Sequence, residues 1–209
     1  MTDFLQLLWK KLESSYSQGQ YDLAESWCQL SLHSVFQNCG AGNTSKLERY
    51  ASFSDTAMRG RLTAERKLLL CALARNNLDA AASIIHKMSQ KSWKEPMTAY
   101  LAFKVAIRVE DRDLAEKCLE TVAQAPDHVD YLGACIAESQ KAGDVLCAIA
   151  ALRKLQEQYE YKGPNSIHLP ALFRCTIRLL NLLADRSGVD TDGIVNDLCE
   201  VFNAGTSLD

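Results

Sequence analysis

"EDRDLAEK", residues 110–117, is a helix start that the chain writes more than once. "GQYDLAES" stands at 19–26, "NNLDAAAS" at 76–83 and "GDVLCAIA" at 143–150. Each is a turn followed by a small residue at one fixed place: Ala24, Ala81, Ala115 and Ala148. The last three lie 34 and 33 residues apart, the period of a tetratricopeptide (TPR) helix–turn–helix unit. Other positions keep the same register. Trp9, Leu12, Tyr16, Gly19, Tyr21 and Trp27 accompany Ala24; Tyr100, Phe103 and Ile107 accompany Ala115; Leu132, Cys135, Gly143 and Leu152 accompany Ala148. The physical reason for the small residue is close packing. The two helices of a hairpin cross where only a short side chain fits, and large ones wedge around it. Gly19, Asn76 and Gly143 suit left-handed backbone, where neither Gly nor Asn meets the full Cβ penalty. The phrase therefore predicts antiparallel helix pairs with turns near residues 19, 76, 111 and 143.

Helical period runs through the rest of the chain. "LLWKKLESSY" places Leu8, Leu12 and Tyr16 on one face, and "YLAFKVAIRV" and "DYLGACIAES" repeat the rhythm, whereas no strand-like alternation is sustained. The fold class expected is all-α: a TPR-like α-solenoid of about five antiparallel hairpins, forming one repeat domain over residues 1–209. Two stretches break the period. Ala24 and Ala81 are 57 residues apart, and "QNCGAGNTSKLERYASFSDTAMRGR" fills the excess. It is rich in Ser, Gly and Asn, so residues 35–62 are expected to be a loop-rich insertion after the first hairpin. The second break is "EYKGPNSIHLP", where Gly163 and Pro164 end a helix and Pro170 suits the first turn of the next. Residues 164–209 then read as a capping hairpin without the small-residue signature.

Composition excludes several function classes. A net charge of −3 gives no whole-molecule attraction to nucleic acid or anionic membrane. No run approaches the roughly 18 apolar residues of a bilayer span. The eight cysteines show neither Cys-x-x-Cys nor a Cys/His cluster at ligand spacing. Cys71, Cys118, Cys135, Cys147 and Cys175 fall in apolar helical runs and are expected to be reduced core thiols, which places the chain in the cytosol or nucleus. "CGAGNTSK", residues 39–46, lacks the spacing of a phosphate-binding loop. The four histidines are scattered, His168 reads as packing, and no carboxylate pair stands out from the helix-surface charge. No catalytic, cofactor-binding or metal-binding residue is assigned, and no cofactor is expected.

"LWKKLESSYSQGQYDLAESWCQLSLHSVF", "SKLER", "RKLLLCALARNNLDAA", "PMTAYLAFKVAIRVEDRDLAEKCLE" and "IHLPALFRCTIRLL" together resemble the meiotic Zip-four/Spo-twenty-two family of TPR proteins. The resemblance spans roughly residues 5 to 202, and "TAYLAFKVAIR" and "HLPALFRC" are its most specific pieces. It implies a non-enzymatic nuclear scaffold of meiotic recombination. Such a scaffold links crossover-promoting factors to the chromosome axis and supports synaptonemal complex assembly. Two departures accompany it. Family members are usually several times longer than 209 residues, and "YASFSDTAMRGRLTAER" (residues 50–66) separates "SKLER" from "KLLLC".

Partner binding is the remaining function, with protein rather than membrane, nucleic acid or a small-molecule substrate as the partner. TPR stacks bind peptides along a concave surface lined by the first helix of each hairpin, or helices along an apolar groove. Positions expected to face that surface are Lys10, Ser14, Arg66, Leu70, Leu101, Val105, Arg108, Ala137 and Lys141. Ser14, Leu70, Val105 and Ala137 occupy the place of the asparagine that a carboxylate clamp needs, so that clamp is absent. The partner-binding set is Leu101, Lys104, Val105, Arg108 and Lys141. Its apolar members have two readings, a groove for an apolar helix or packing of repeat on repeat. Arg174 and Arg178 form a small basic pair on the last hairpin. The alternative to a meiotic scaffold is a general TPR adaptor or a subunit of a cytosolic complex. An enzyme is supported by no constellation of residues.

Overall fold

A computed structural model describes residues 2–33, 48–158 and 169–185, together with 193, 195, 196 and 199. Among the described residues every regular element is helical. The helices are α1 (Thr2–Ser17), α2 (Tyr21–Leu32), α3 (Glu48–Ala74), α4 (Leu78–Lys87), α5 (Gln90–Trp93), α6 (Pro96–Val109), α7 (Arg112–Ala123), α8 (His128–Ala142), α9 (Val145–Glu157) and α10 (Leu169–Ala184).

The repeated phrase is one turn built four times. Gly19, Asn76, Glu110 and Gly143 all have positive φ, at 73°, 54°, 58° and 74°. After each, the next backbone N–H reaches five residues back: Gln20 to Ser15 O, Asn77 to Ala72 O, Asp111 to Ala106 O and Asp144 to Ser139 O, all at 2.9–3.0 Å. This is the helix stop in which a left-handed residue lets the chain satisfy carbonyls of the last turn. The same following residue then starts the return helix. Asn77, Asp111 and Asp144 accept with their side chains from the N–H of Ala80, Leu114 and Cys147, while Gln20 makes no side-chain cap. Four residues on stand Ala24, Ala81, Ala115 and Ala148, each donating its N–H to the carbonyl of the capping residue. All four are at most 1% exposed. Stop, cap and crossing point are thus set by six consecutive residues. Asn76 suits its left-handed place, but Glu110 carries a Cβ into a conformation that costs an L-residue roughly 1–2 kcal/mol.

The chain divides into two compact units, Met1–Trp93 and Lys94–Asp209. In the first, Leu12 of α1, Cys28 of α2 and Leu68 of α3 form one core cluster, with Trp9, Trp27, Leu32 and Ile84 against it. Lys67 ties α3 to α1, with its Nζ 2.9 Å from Glu13 and 4.6 Å above the Tyr16 ring. Arg75, at the end of α3, meets Asp22 and Glu25 of α2. The buried Glu65 takes hydrogen bonds from Arg61 at 2.8 Å and from Ser92 Oγ at 3.0 Å, holding α5 to α3.

In the second unit α6 packs on α7 and α8, and α9 packs on α7, α8 and α10. Helix α6 buries eight of its fourteen residues, among them Leu101, Phe103, Val105 and Ile107. Burial that nearly encircles a helix marks it as an inner layer. Ile149, Leu180 and Leu183 fasten α9 to α10. Thr176, fully buried, accepts from Gln156 Nε2 at 2.9 Å and donates to Leu172 O.

Three sequence expectations change. Residues 48–62, expected in a loop, belong to α3, a 27-residue helix. The Ser and Gly content misled because the stretch holds no Pro, and Ala, Met, Arg and Leu among its residues carry helix propensity. Residues 35–47 of the expected insertion lie outside the described residues, as does most of the second arm of the expected 164–209 hairpin. Cys175, expected in the core, is exposed on α10, while Cys71, Cys118, Cys135 and Cys147 are buried as expected. The third change falls on the partner-binding set, of which Leu101 and Val105 are buried.

Two substitutions five residues apart should move stability in opposite directions. Ala115→Leu forces extra methylenes into the α6–α7 crossing and should cost about 1–3 kcal/mol. Glu110→Gly relieves the left-handed Cβ and should add about 0.5–1 kcal/mol, net of glycine's larger unfolded-state entropy. Urea melts of the two variants check both signs; an Ala115→Leu midpoint equal to wild type would remove the crossing from its assigned place.

Candidate interaction site

Burial sorts the expected partner-binding residues. Leu101 and Val105 are 1% and 0% exposed, so they are packing residues and line no groove. Burying a Leu or Val side chain contributes about 1.5–3 kcal/mol, and α6, which carries both, packs on α7 and α8. The outward stripe of α6 is instead Tyr100, Lys104 and Arg108, at i, i+4 and i+8. It is displaced by one residue from the stripe that Leu101, Val105 and Arg108 were expected to lead. One residue is about 100° of helix rotation.

The three basic members of the set do come together. Lys104 and Arg108 leave α6, Lys141 leaves α8, and all three meet Glu138 of α8. Lys104 Nζ lies 3.5 Å from Glu138 Oε1, Lys141 Nζ 3.3 Å from the same oxygen, and Arg108 Nη2 4.0 Å from Oε2. The Glu138 side chain is 12% exposed, whereas that of Lys141 is 74% exposed. Burial works against the Glu138 charge, but Lys104 and Lys141 outweigh it and hold the carboxyl below its ordinary value of 4.5. Three cations share one carboxylate, an excess of two positive charges.

An aromatic pair completes the surface. Tyr100 and Tyr131 have ring centroids 6.3 Å apart, tilted at 54°, and Lys104 Nζ sits 5.6 Å from the Tyr100 centroid. Burial first, then the Glu138 charge, raises the Tyr100 phenol above its ordinary value. It is a neutral hydroxyl beside a charged cluster. The arrangement offers cations, a flat ring and a hydroxyl on the outward faces of α6 and α8, a chemistry of recognition.

Glu138 and Tyr131 were not singled out from the sequence. Glu138 stands three residues before Lys141, one helical turn away on the same face, a spacing that brings opposite charges together. Of the other positions expected on the binding surface, Lys10 and Ser14 are exposed on α1, Arg66 and Leu70 are half-buried on α3, and Ala137 is exposed on α8. Arg174 and Arg178 are exposed on α10. Arg178 lines a cleft of about 400 Å³ together with Gly143, Asp144, Ala148, Cys175 and Leu182. Burial pushes the thiols of Cys28, Cys118, Cys135 and Cys147 up to about 12 and that of Cys71 to about 11. All five stay protonated at neutral pH, as core residues rather than nucleophiles. Among the described residues no group of three or more His, Cys, Asp or Glu gathers as a metal site. Nor is any described helix long and apolar enough to cross a membrane.

Residues 1–33 match the family model described as meiosis protein SPO22/ZIP4 like. The match covers 33 of the 209 residues. It ends with α2, so it takes in the first hairpin and its Gly19 turn. No curated protein and no solved structure matches the chain.

The lowered Glu138 value fixes the sign of a pH dependence. A carboxyl depressed in the folded state contributes stability present above 4.5, its ordinary value, and lost as pH falls through the lower folded one. Glu138→Gln should therefore be less stable than wild type at neutral pH. The gap should close in acid, where a protonated carboxyl is as neutral as the amide. Thermal melts across pH check this; a gap that persists unchanged in acid would mean that the carboxylate charge is not what Glu138 supplies.

Proposed function

We propose that the chain is a TPR-like repeat segment of a non-enzymatic scaffold in meiotic recombination, acting in crossover formation and synaptonemal complex assembly in the nucleus. The observation that carries this reading is the meiosis-family match over residues 1–33. It falls on a hairpin whose turn has the same left-handed residue and five-back hydrogen bond as the turns at Asn76, Glu110 and Gly143. Equivalent units built on one turn are how repeat proteins extend a binding surface, each unit adding one or two side chains. The paired placement of Arg108 and Lys141, 33 residues apart on the first helices of successive hairpins, fits that arrangement. In this reading the partners are proteins, among them crossover-promoting and chromosome-axis factors, and the outward faces of α6 and α8 carry part of the contact.

Proximity labelling in meiotic cells tests the function. Biotin ligase fused to the chain should label crossover and axis proteins above a nuclear control, and the fusion should decorate meiotic chromosomes. Arg108→Glu should reduce that labelling while its melting stays within about 0.5 kcal/mol of wild type. A labelling pattern dominated by cytosolic complexes, with no chromosomal signal, would contradict the meiotic assignment and favour a general adaptor.

A further inference from the structure

We infer that the Lys104, Arg108 and Lys141 cluster is a docking site for an acidic peptide segment of a protein partner, with Glu138 as a resident carboxylate that competes for it. The inference names the partner chemistry of the surface just described and rests on the scaffold reading for there being a protein partner.

Charge decides the class of ligand. Glu138 is the one acid among the described residues that meets these three cations at salt-bridge distance. It neutralises one of them and is itself mostly buried, so it serves as a floor with the cations arrayed around it. An Arg–carboxylate contact at 4.0 Å is longer than a hydrogen bond, which leaves the guanidinium fork of Arg108 open to a better-placed carboxylate. Lys141 is held by one 3.3 Å hydrogen bond and otherwise faces water, so redirecting its ammonium to an incoming acid costs little. Tyr100 and Tyr131 supply flat apolar area beside the charges for the peptide's aliphatic stems, of the kind that anchors interfaces.

Nucleic acid fits less well. Affinity for a phosphate backbone comes from many spaced cations and grows with their number. Here three cations crowd one carboxylate, on a chain of net charge −3. A carboxyl-terminal clamp fits less well too, since Val105 and Ala137 stand where its asparagine belongs. The ligand is a run of Asp or Glu side chains within a segment.

Fluorescence anisotropy with the full chain tests this, using a fluorescein-labelled glutamate-rich peptide, its glutamine counterpart and a single-stranded DNA oligonucleotide as probes. The acidic peptide should bind and the glutamine peptide should not, with affinity falling as salt rises. Lys141→Glu changes an exposed residue, and Arg108→Glu changes the fork; each should weaken binding about tenfold, an effect of about 1.4 kcal/mol. Glu138→Gln should instead tighten binding by about threefold or more, because it frees three cations at once, a change of about 0.7 kcal/mol. A merely structural Glu138 would not produce that gain. Circular dichroism melts run beside each variant separate folding from binding. Equal binding of the glutamine peptide overturns the inference, as does an unchanged or weakened Glu138→Gln, or binding of the DNA without the peptide. Chromosomal proximity labelling by the wild-type chain reads the scaffold function separately. If it persists while the peptide arm fails, only the acidic-partner inference falls; if it is absent, the scaffold reading itself fails.

Discussion

Everything else in this structure depends on the closeness with which each return helix crosses the one before it. Ala24, Ala81, Ala115 and Ala148 occupy the crossings with no more than 1% exposure, so there is no room for a longer side chain without repacking. Each alanine is delivered to the crossing by chain geometry. The left-handed residue five positions earlier reverses the chain, and the next residue starts the return helix while its N–H satisfies the helix just left. Turn and crossing are mutually consistent at four places, and a side-chain cap joins them at three, Asn77, Asp111 and Asp144. Such agreement between local and tertiary preference is what lets a sequence specify one structure. Glu110 is the exception, and its strain is held by the surrounding hydrogen bonds and by the burial of α6.

The same closeness decides what α6 shows outward. Helix α6 packs on α7 and α8 and buries eight of its fourteen residues, so most of its apolar side chains are used in packing. What it shows outward is the narrow row Tyr100, Lys104 and Arg108. Its neighbour α8 presents Tyr131, Glu138 and Lys141 to that row. The charges then settle on the one acid within reach. A cluster with more cations than its carboxylate can neutralise gains little stability for the fold, since ion pairs with exposed partners contribute about 0–1 kcal/mol. It does raise the local positive potential where a partner would arrive, which favours encounter and selects against basic partners. The apolar packing and the excess positive charge therefore lie on different sides of the same helix.

Much of this was legible in the residues. The repeated phrase with its alanine located all four turns, because crossing points demand a side chain of one size whatever surrounds them. Helical content was equally plain from the period of Leu8, Leu12 and Tyr16 and its later echoes. Less visible was the rotation of α6. Leu101, Val105 and Arg108 and the true stripe of Tyr100, Lys104 and Arg108 differ by one residue, and hydrophobic period alone does not settle which flank of an almost wholly apolar helix meets a neighbour. Lys104, Arg108 and Lys141 stay at the surface in either register, because long basic side chains are excluded from the core wherever the helix turns. The helix over residues 48–62 was hidden by Ser and Gly, whose preference for turns is weak enough for a long helix to override. Cys175 was misplaced in the opposite sense to Leu101: it lies in an apolar run of sequence but on an exposed face.

Helices α6 and α8 lie side by side with Lys104 and Glu138 in contact, and zero-length carbodiimide crosslinking reads that contact directly. The reagent joins a lysine amine to a carboxylate only where the two touch. Mass spectrometry of the digested chain should find Lys104 joined to Glu138, beside the Lys67–Glu13 and Lys154–Glu157 pairs that stand at 2.9 Å and 3.1 Å. Recovery of those two reference links without any Lys104–Glu138 link would contradict the account, because it would leave the α6 and α8 faces apart and the cationic cluster unformed.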